Sequence, residues 1–317
     1  MKKCLIVSAS GEKSFSIVQA ERLNSFAKVT FVKENRLLSD KEFVEMFKNY
    51  EIAALTRRIR KDIGAKILAQ LPELKALAVF STGYEWIDTD HMKKSGIKLA
   101  CLPQYSTVSV AEHAVGLLLS ALHRIHLSYD FSRDMLDAKI SMRGFELAGK
   151  KTGIIGFGRI GQKVYSMLSS FEVERSYYDI DAKKREFSED KFEDLDKLLS
   201  KSDIIILCAS KKRNEKPIIS FSEISKMKDG VIIINPARAD LVDNDAVCEY
   251  IKSGKIFTYA VDEKTGAFKG IAKGRVIETG HTAWYSTEAV KRGTETWVEN
   301  IIGLCTDDPV NLVGENF

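Results

Sequence analysis

Apolar positions along the chain come in two kinds of run that alternate. Short, unbroken runs of strand length cover Lys3–Ser8, 29–32, Ile52–Leu55, 76–80 and 97–101. Segments between them, such as 43–47 and 63–71, carry apolar residues at helical spacing. Buried strands separated by amphipathic helices predict a parallel sheet covered on both faces. The alternation resumes with strand-like runs at 152–155, 173–178, 203–208, 230–235 and 259–262, and with a helical stretch at 243–252. Between the two series, residues 106–125 read as one long helix that is apolar on nearly every face. Such a helix belongs at a domain junction or a subunit interface. Residues 127–148 read as irregular and charged, and 286–304 as a terminal helix that crosses back onto the first series. The prediction is an α/β protein of two Rossmann-like or flavodoxin-like domains with a cleft between them, each a doubly wound parallel sheet. The first, a substrate domain, takes residues 1–100 and 286–317, and the second takes 101–285.

One stretch of the second series carries chemistry of its own. The strand at 152–155 runs into Gly156-Phe157-Gly158-Arg159-Ile160-Gly161, and Ile160, Val164, Leu168 and Phe171 then fall at helical spacing. A second strand follows and ends at Asp179, eighteen positions beyond Gly161. Strand, glycine turn, helix, strand and acid is the order of a dinucleotide-binding unit. Gly156 permits the tight turn, Gly158 lets a pyrophosphate approach the backbone, and Gly161 lets the helix pack close to the strand. The phosphates then meet the free N–H groups at the helix start, around Arg159 and Ile160. Asp179 accepts from a ribose 2′-hydroxyl, and with Asp181 it repels a 2′-phosphate, so NAD is the expected cofactor rather than NADP. The hexapeptide alone reads equally well as an ordinary strand–helix turn; its flanking elements decide the matter.

Composition changes this picture little. The chain has 317 residues, 44% hydrophobic and 29% charged, enough for two sizeable cores. Its net charge of +4 is spread over 48 basic and 44 acidic residues, which argues for neither a nucleic acid nor a membrane as partner. The runs Arg57-Arg58-Ile59-Arg60 and Lys211-Lys212-Arg213 read as solvated loops. Five cysteines (Cys4, Cys101, Cys208, Cys248 and Cys305) are widely spread without a CxxC, and read as free thiols of a reducing compartment rather than metal ligands. The opening MKKCLIVSAS reads as a strand, not a signal segment, and no apolar run approaches membrane-spanning length. A cytoplasmic location is the expectation.

In an open α/β sheet, ligands bind beyond the carboxyl ends of the strands. Four such ends stand out: Ser81-Thr82-Gly83-Tyr84, Asn235-Pro236-Ala237-Arg238, Asp262-Glu263 and Thr279-Gly280-His281. Longer segments around them are STGYEWID (81–88), VAEHAVGLLL (110–119), RGFELAGKKTGIIGFGRIG (143–161), INPARADLVD (234–243) and HTAWYSTEAV (281–290). In these segments, and in their order over nearly the whole chain, the sequence resembles the D-isomer-specific 2-hydroxyacid dehydrogenase family, which includes the C-terminal-binding-protein corepressors.

The resemblance implies roles that suit the side chains. Backbone N–H groups of Thr82, Gly83 and Tyr84 would hold a substrate carboxylate. Arg238 matches the catalytic arginine, whose fork can bind a carboxylate and polarise a neighbouring carbonyl. His281 matches the acid/base histidine, a group suited to proton exchange near neutral pH. His113, His123 and His126, on or near the long helix, read as structural. Asp262 matches an aspartate near the nicotinamide carboxamide, and Ala209, Ser210, Pro236 and Ala237 occupy positions that line the cofactor. The family's glutamate partner of the histidine has no counterpart at Ala267, which leaves Glu263 and Glu278 as candidates. Ala239 stands for a glycine, Gly280 for a proline, and the loop 210–215 departs from its usual proline and threonines. The expected activity is NAD-dependent interconversion of a 2-oxo acid and a D-2-hydroxy acid by a homodimer. The alternative is a dinucleotide-sensing binding protein of the same fold with turnover lost, like the corepressors.

Overall fold

The computed structural model describes residues 1–136, 140–187, 191–211 and 213–314. Lys212 of the second basic run, and 137–139 of the stretch expected to be irregular, lie outside the described residues. The chain divides into two compact units, Met1–Tyr105 with Thr287–Phe317, and Ser106–Ser286.

The first unit is a parallel sheet of β1 (Lys3–Ser8), β2 (Lys28–Lys33), β3 (Ile52–Leu55), β4 (Ala76–Val79) and β5 (Lys98–Ala100), in the order β2-β1-β3-β4-β5. That is the flavodoxin-like order, in which the chain winds to both sides of its first strand. Its helices start where the sequence supplies caps: Ser16 with Gln19, and Ser39 with Glu42, form reciprocal capping boxes. Leu5, Val7, Ala53, Leu55, Leu77 and Val79 fill one core. The terminal helix Thr287–Thr306 packs on the same unit. Trp297 is 2% exposed there and donates its indole N–H to the Ala78 carbonyl at 3.2 Å. Gly293 lies against Phe80 and Tyr105, where a larger residue would collide with both rings.

The second unit is a six-stranded sheet of β6 (Lys151–Ile155), β7 (Glu174–Tyr178), β8 (Ile204–Leu207), β9 (Val231–Asn235), β10 (Ile256–Val261) and β11 (Val276–Glu278). The order is β11-β10-β9-β8-β6-β7, and every pairing is parallel. Alternate residues go to opposite faces: Ile155, Ile205, Ile233 and Val261 join one core, and Ile154, Ile206, Ile234 and Ala260 the other. Both faces are thus buried, which is why these strands read as unbroken apolar runs. A fully buried isoleucine contributes roughly 1.5–3 kcal/mol, so this sheet is a rigid base for whatever its ends carry.

Three expectations need correction. The long helix covers Thr107–His123 and stops there, because Arg124 adopts a left-handed conformation (φ 54°) that breaks the hydrogen-bond ladder. A second helix, Ile125–Phe131, follows where irregular structure was expected. The helix expected over 63–71 contracts to Ala65–Leu68. Elsewhere the strand boundaries agree with expectation to within a few residues. No helix among the described residues is long and apolar enough to cross a membrane, and the five cysteines are not joined in disulfides.

Candidate active site

In the second unit β6 has β7 on one side and β8 on the other, so its carboxyl end lies at the point where the winding reverses. That point is where a doubly wound sheet opens a crevice for ligands. The three glycines of the loop leaving β6 differ in what requires them. Gly156 has φ +90°, and a Cβ there would strike the backbone of Ala209 beyond β8. At Gly161 a Cβ would fall on the carbonyl oxygen of Gly156, so only glycine lets the Arg159–Met167 helix sit so close. Gly158 has neither reason: its φ is −73°, and a Cβ there meets nothing within 4 Å. The space kept open is on the ligand side, at the helix start where Arg159 and Ile160 present their N–H groups. Asp179, at the end of β7, closes the loop from the other side. Its carboxylate accepts from the Phe157 N–H at 2.6 Å and the Asp181 N–H at 2.9 Å. A carboxylate has lone pairs to spare for a ribose hydroxyl. The residues therefore fit a dinucleotide: an open cradle, helix-end donors and an acid at the end of the neighbouring strand. Ser210 is exposed beyond β8.

The neighbouring strand ends carry the remaining candidates. β9, β10 and β11 are adjacent, and Arg238, Asp262 and His281 follow their carboxyl ends. The turn after β9 is fixed by Asn235, which is fully buried. Its amide donates to the Arg238 carbonyl at 2.8 Å and to the Tyr259 hydroxyl at 3.0 Å, and its oxygen accepts from the Ala237 N–H at 3.1 Å. Burial pushes the Tyr259 hydroxyl up, so it stays protonated at any physiological pH. Pro236 is buried, while Ala237 and Arg238 are half-buried. Glu263 accepts from the Ala239 N–H at 3.0 Å and so pins the residue next to Arg238. Glu278 is bound by the Thr265 N–H and hydroxyl at 2.7 and 2.8 Å. Each of the two candidate glutamates thus ties down a loop.

Asp262 is 3% exposed, and its oxygens are taken by the turn that holds His281. They accept from the Thr279 hydroxyl (2.6 Å), the Thr282 N–H (2.9 Å) and the Ala283 N–H (2.8 Å). His281, half-buried, has φ 58°. That region is costly for a residue with a Cβ, and histidine is among the few that visit it. Asn235, Glu263 and Thr279, which stand in the strand ends singled out from sequence, thus hold the turns of the site in place.

In the first unit the turn after β4 turns its carbonyls and hydroxyls inward. The Thr82 hydroxyl donates to the Leu102 carbonyl at 2.6 Å, and the Gly83 carbonyl accepts from the Ser81 hydroxyl (2.8 Å) and the Trp86 indole (3.1 Å). Among the described residues, no group accepts from the N–H groups of Thr82, Gly83 or Tyr84. Three successive donors in one half-buried turn are what an anionic oxygen needs.

A doubly wound sheet with a dinucleotide loop at its switch point, and an arginine and a histidine on the strand ends that flank β10, fits a nicotinamide-dependent oxidoreductase. Comparison with known proteins narrows the class. Residues 115–279 match the D-isomer specific 2-hydroxyacid dehydrogenase, NAD binding domain family. A hydroxypyruvate reductase of Thermotoga maritima is 33% identical over 258 residues, covering 79% of this chain and 84% of that protein. An aromatic 2-oxoacid reductase of Clostridium sporogenes is 35% identical over 249 residues, 72% of this chain and 75% of that protein. A D-lactate dehydrogenase from Aquifex aeolicus, solved with NAD and lactic acid, superposes with a TM-score of 0.80 at 26% identity over 96% of each chain. The chain belongs to the D-isomer-specific 2-hydroxyacid dehydrogenase family. It is an NAD-dependent oxidoreductase that interconverts a 2-oxo acid and a D-2-hydroxy acid, rather than a sensor without turnover.

Proposed function

We propose that Arg238 and His281 carry this reaction, with the substrate carboxylate on the N–H groups of Thr82, Gly83 and Tyr84. The observation that supports the reading is the adjacency of β9, β10 and β11, whose carboxyl ends bear Arg238, Asp262 and His281 in the same parallel sheet whose β6 carries the glycine loop. The glycine loop around Gly158, the Arg159 and Ile160 N–H groups and Asp179 would hold NAD, which when bound would supply or accept the hydride. The Arg238 guanidinium anchors the 2-oxo acid and polarises its carbonyl, which develops negative charge as the reaction proceeds. His281, as imidazolium, gives its proton to that oxygen and takes it back in the reverse direction. The Thr82–Tyr84 amides fix the carboxylate without adding a titrating group.

The test is NADH oxidation with a panel from glyoxylate, pyruvate and hydroxypyruvate to aromatic 2-oxo acids, since relatives are named for substrates across that range. His281→Ala and Arg238→Ala should each lower kcat/KM by about 10²–10⁴ while NADH binding persists. Wild-type turnover in either variant would remove that residue from the mechanism.

The same reading takes the protein as a cytoplasmic homodimer. Five cysteines not joined in disulfides support the compartment. Ile125, Tyr129 and Phe131, exposed at 54%, 56% and 49% on one short helix, support a subunit contact. Light scattering on the purified chain should give twice the monomer mass; a monomeric mass would overturn the assembly.

A further inference from the structure

The long helix of the second unit is apolar along most of its length, yet two polar residues one turn apart, Ser109 and His113, sit on one face. Both reach the turn that presents His281. The Ser109 hydroxyl, 9% exposed, donates to the Ala283 carbonyl at 2.6 Å. His113 Nε2 lies 3.3 Å from the Thr279 hydroxyl and 3.7 Å from the Asp262 carboxylate.

The direction of the second contact follows from what each group can do. An ionised carboxylate only accepts, so the Thr279 hydroxyl spends its proton on Asp262 at 2.6 Å. What the Thr279 oxygen offers His113 is a lone pair, and the hydrogen is therefore on Nε2. A chain of donors results, His113 to Thr279 to Asp262, and the same carboxylate then takes the N–H groups of Thr282 and Ala283. Ala283 is gripped twice, by its N–H from Asp262 and by its carbonyl from Ser109. Residues 279, 282 and 283 are thus tied on both sides of His281, which alone in the turn carries the unfavourable φ of 58°. A strained residue persists only when its surroundings over-determine it. The bonds from the helix are part of that over-determination.

We infer that Ser109 and His113 of the long helix, acting through Thr279 and Ala283, are positioning residues that hold the His281 turn in its left-handed conformation for proton transfer. The inference rests on the reading of His281 as the acid/base group. It also gives His113 a task beyond the structural one expected from sequence. Each link is one hydrogen bond to a buried or half-buried group, so losing one should cost about tenfold in rate where it is felt at the reacting proton.

Steady-state kinetics and NADH binding on the full chain test this, with any 2-oxo acid that the wild type reduces. Thr279→Val, His113→Ala and Ser109→Ala should each lower kcat about tenfold. NADH Kd should change less than kcat, because these residues lie away from the glycine loop and Asp179 and reach the cofactor side only through Asp262. Thr279→Ser keeps the hydroxyl, and His113→Gln places an amide N–H where Nε2 was; both should restore most of the rate. A purely structural role would lower Tm with kcat unchanged, or would lower kcat equally in the conservative variants, and either result overturns the inference. His281→Ala run alongside separates the two claims. If it retains wild-type kcat, the acid/base reading falls. If it is inactive while the three helix and turn variants keep wild-type kcat, only the positioning role falls.

Discussion

Substituting Gly158 by alanine separates cofactor binding from folding. The backbone there is extended (φ −73°, ψ −166°), which alanine adopts without strain, and the added methyl meets no protein atom within 4 Å. Alanine is a slightly poorer helix N-cap than glycine, a loss of about 1 kcal/mol at most, partly offset by the smaller entropy of its unfolded chain. Tm should therefore move by no more than about 2–4 °C. A ligand lying against the Gly158 backbone meets the methyl directly. Overpacking of one methyl typically costs about 1–3 kcal/mol, so NADH should bind roughly 5–150-fold more weakly. Gly161→Ala is the control with the opposite outcome. Its methyl falls on the Gly156 carbonyl oxygen, so it should lower Tm sharply as well as weakening binding. Calorimetry for Tm and fluorescence titration for NADH Kd read both quantities on the same samples. Unchanged NADH affinity in a folded Gly158→Ala protein would refute the assignment of that open space to the pyrophosphate.

Other consequences follow from single contacts. Asn235→Ala removes a fully buried amide from the Arg238 carbonyl, which keeps the Leu241 N–H at 3.2 Å, and from the Ala237 N–H and the Tyr259 hydroxyl; stability should fall by about 1–3 kcal/mol and kcat should fall with it, and unchanged kcat would mean that the Arg238 turn holds its shape without Asn235. Gly293→Ala drives a methyl into Phe80 and Tyr105, 2.7 and 2.8 Å away, and should destabilise the first unit by about 1–3 kcal/mol in a denaturant titration; a neutral result would mean that the rings move aside freely. At Asp203 burial pushes the carboxyl up, but the Lys228 ammonium and the Lys151 N–H outweigh it and hold it below its ordinary value. The stability so gained is present above the unfolded value of about 3.9 and is lost as pH falls through the folded one. Asp203→Asn should therefore lower Tm by roughly 2 °C at pH 7, a gap that closes below about pH 4; a gap constant with pH would refute the electrostatic cause.

What was legible in the sequence depended on how local its cause was. β1, β3 and β8 are buried on both faces, so unbroken apolar runs marked them. β11 is a three-residue edge strand paired only with β10, with too little apolar sequence to stand out. The left-handed Arg124 interrupts an apolar pattern that continues past it, so the break between the two helices left no trace in periodicity. The glycine loop was readable because its strand, turn, helix and acid follow one another directly along 152–179. The supports of His281 were not. Ser109 lies 174 positions from Ala283, and His113 lies 166 from Thr279. The one local sign was a serine and a histidine one turn apart on a largely apolar helix. The departures at Ala239 and Gly280 also gain a setting. Ala239 gives its N–H to Glu263, and Gly280 precedes the left-handed histidine with room around its Cα.

The most direct measurement is NADH oxidation by the purified chain against the panel of 2-oxo acids, with the configuration of the product determined by chiral chromatography. The account predicts turnover with at least one acid, a D-2-hydroxy acid as the product, and loss of that turnover in His281→Ala with NADH still bound. Tight NADH binding with no turnover on any acid, or an L-configured product, would contradict it.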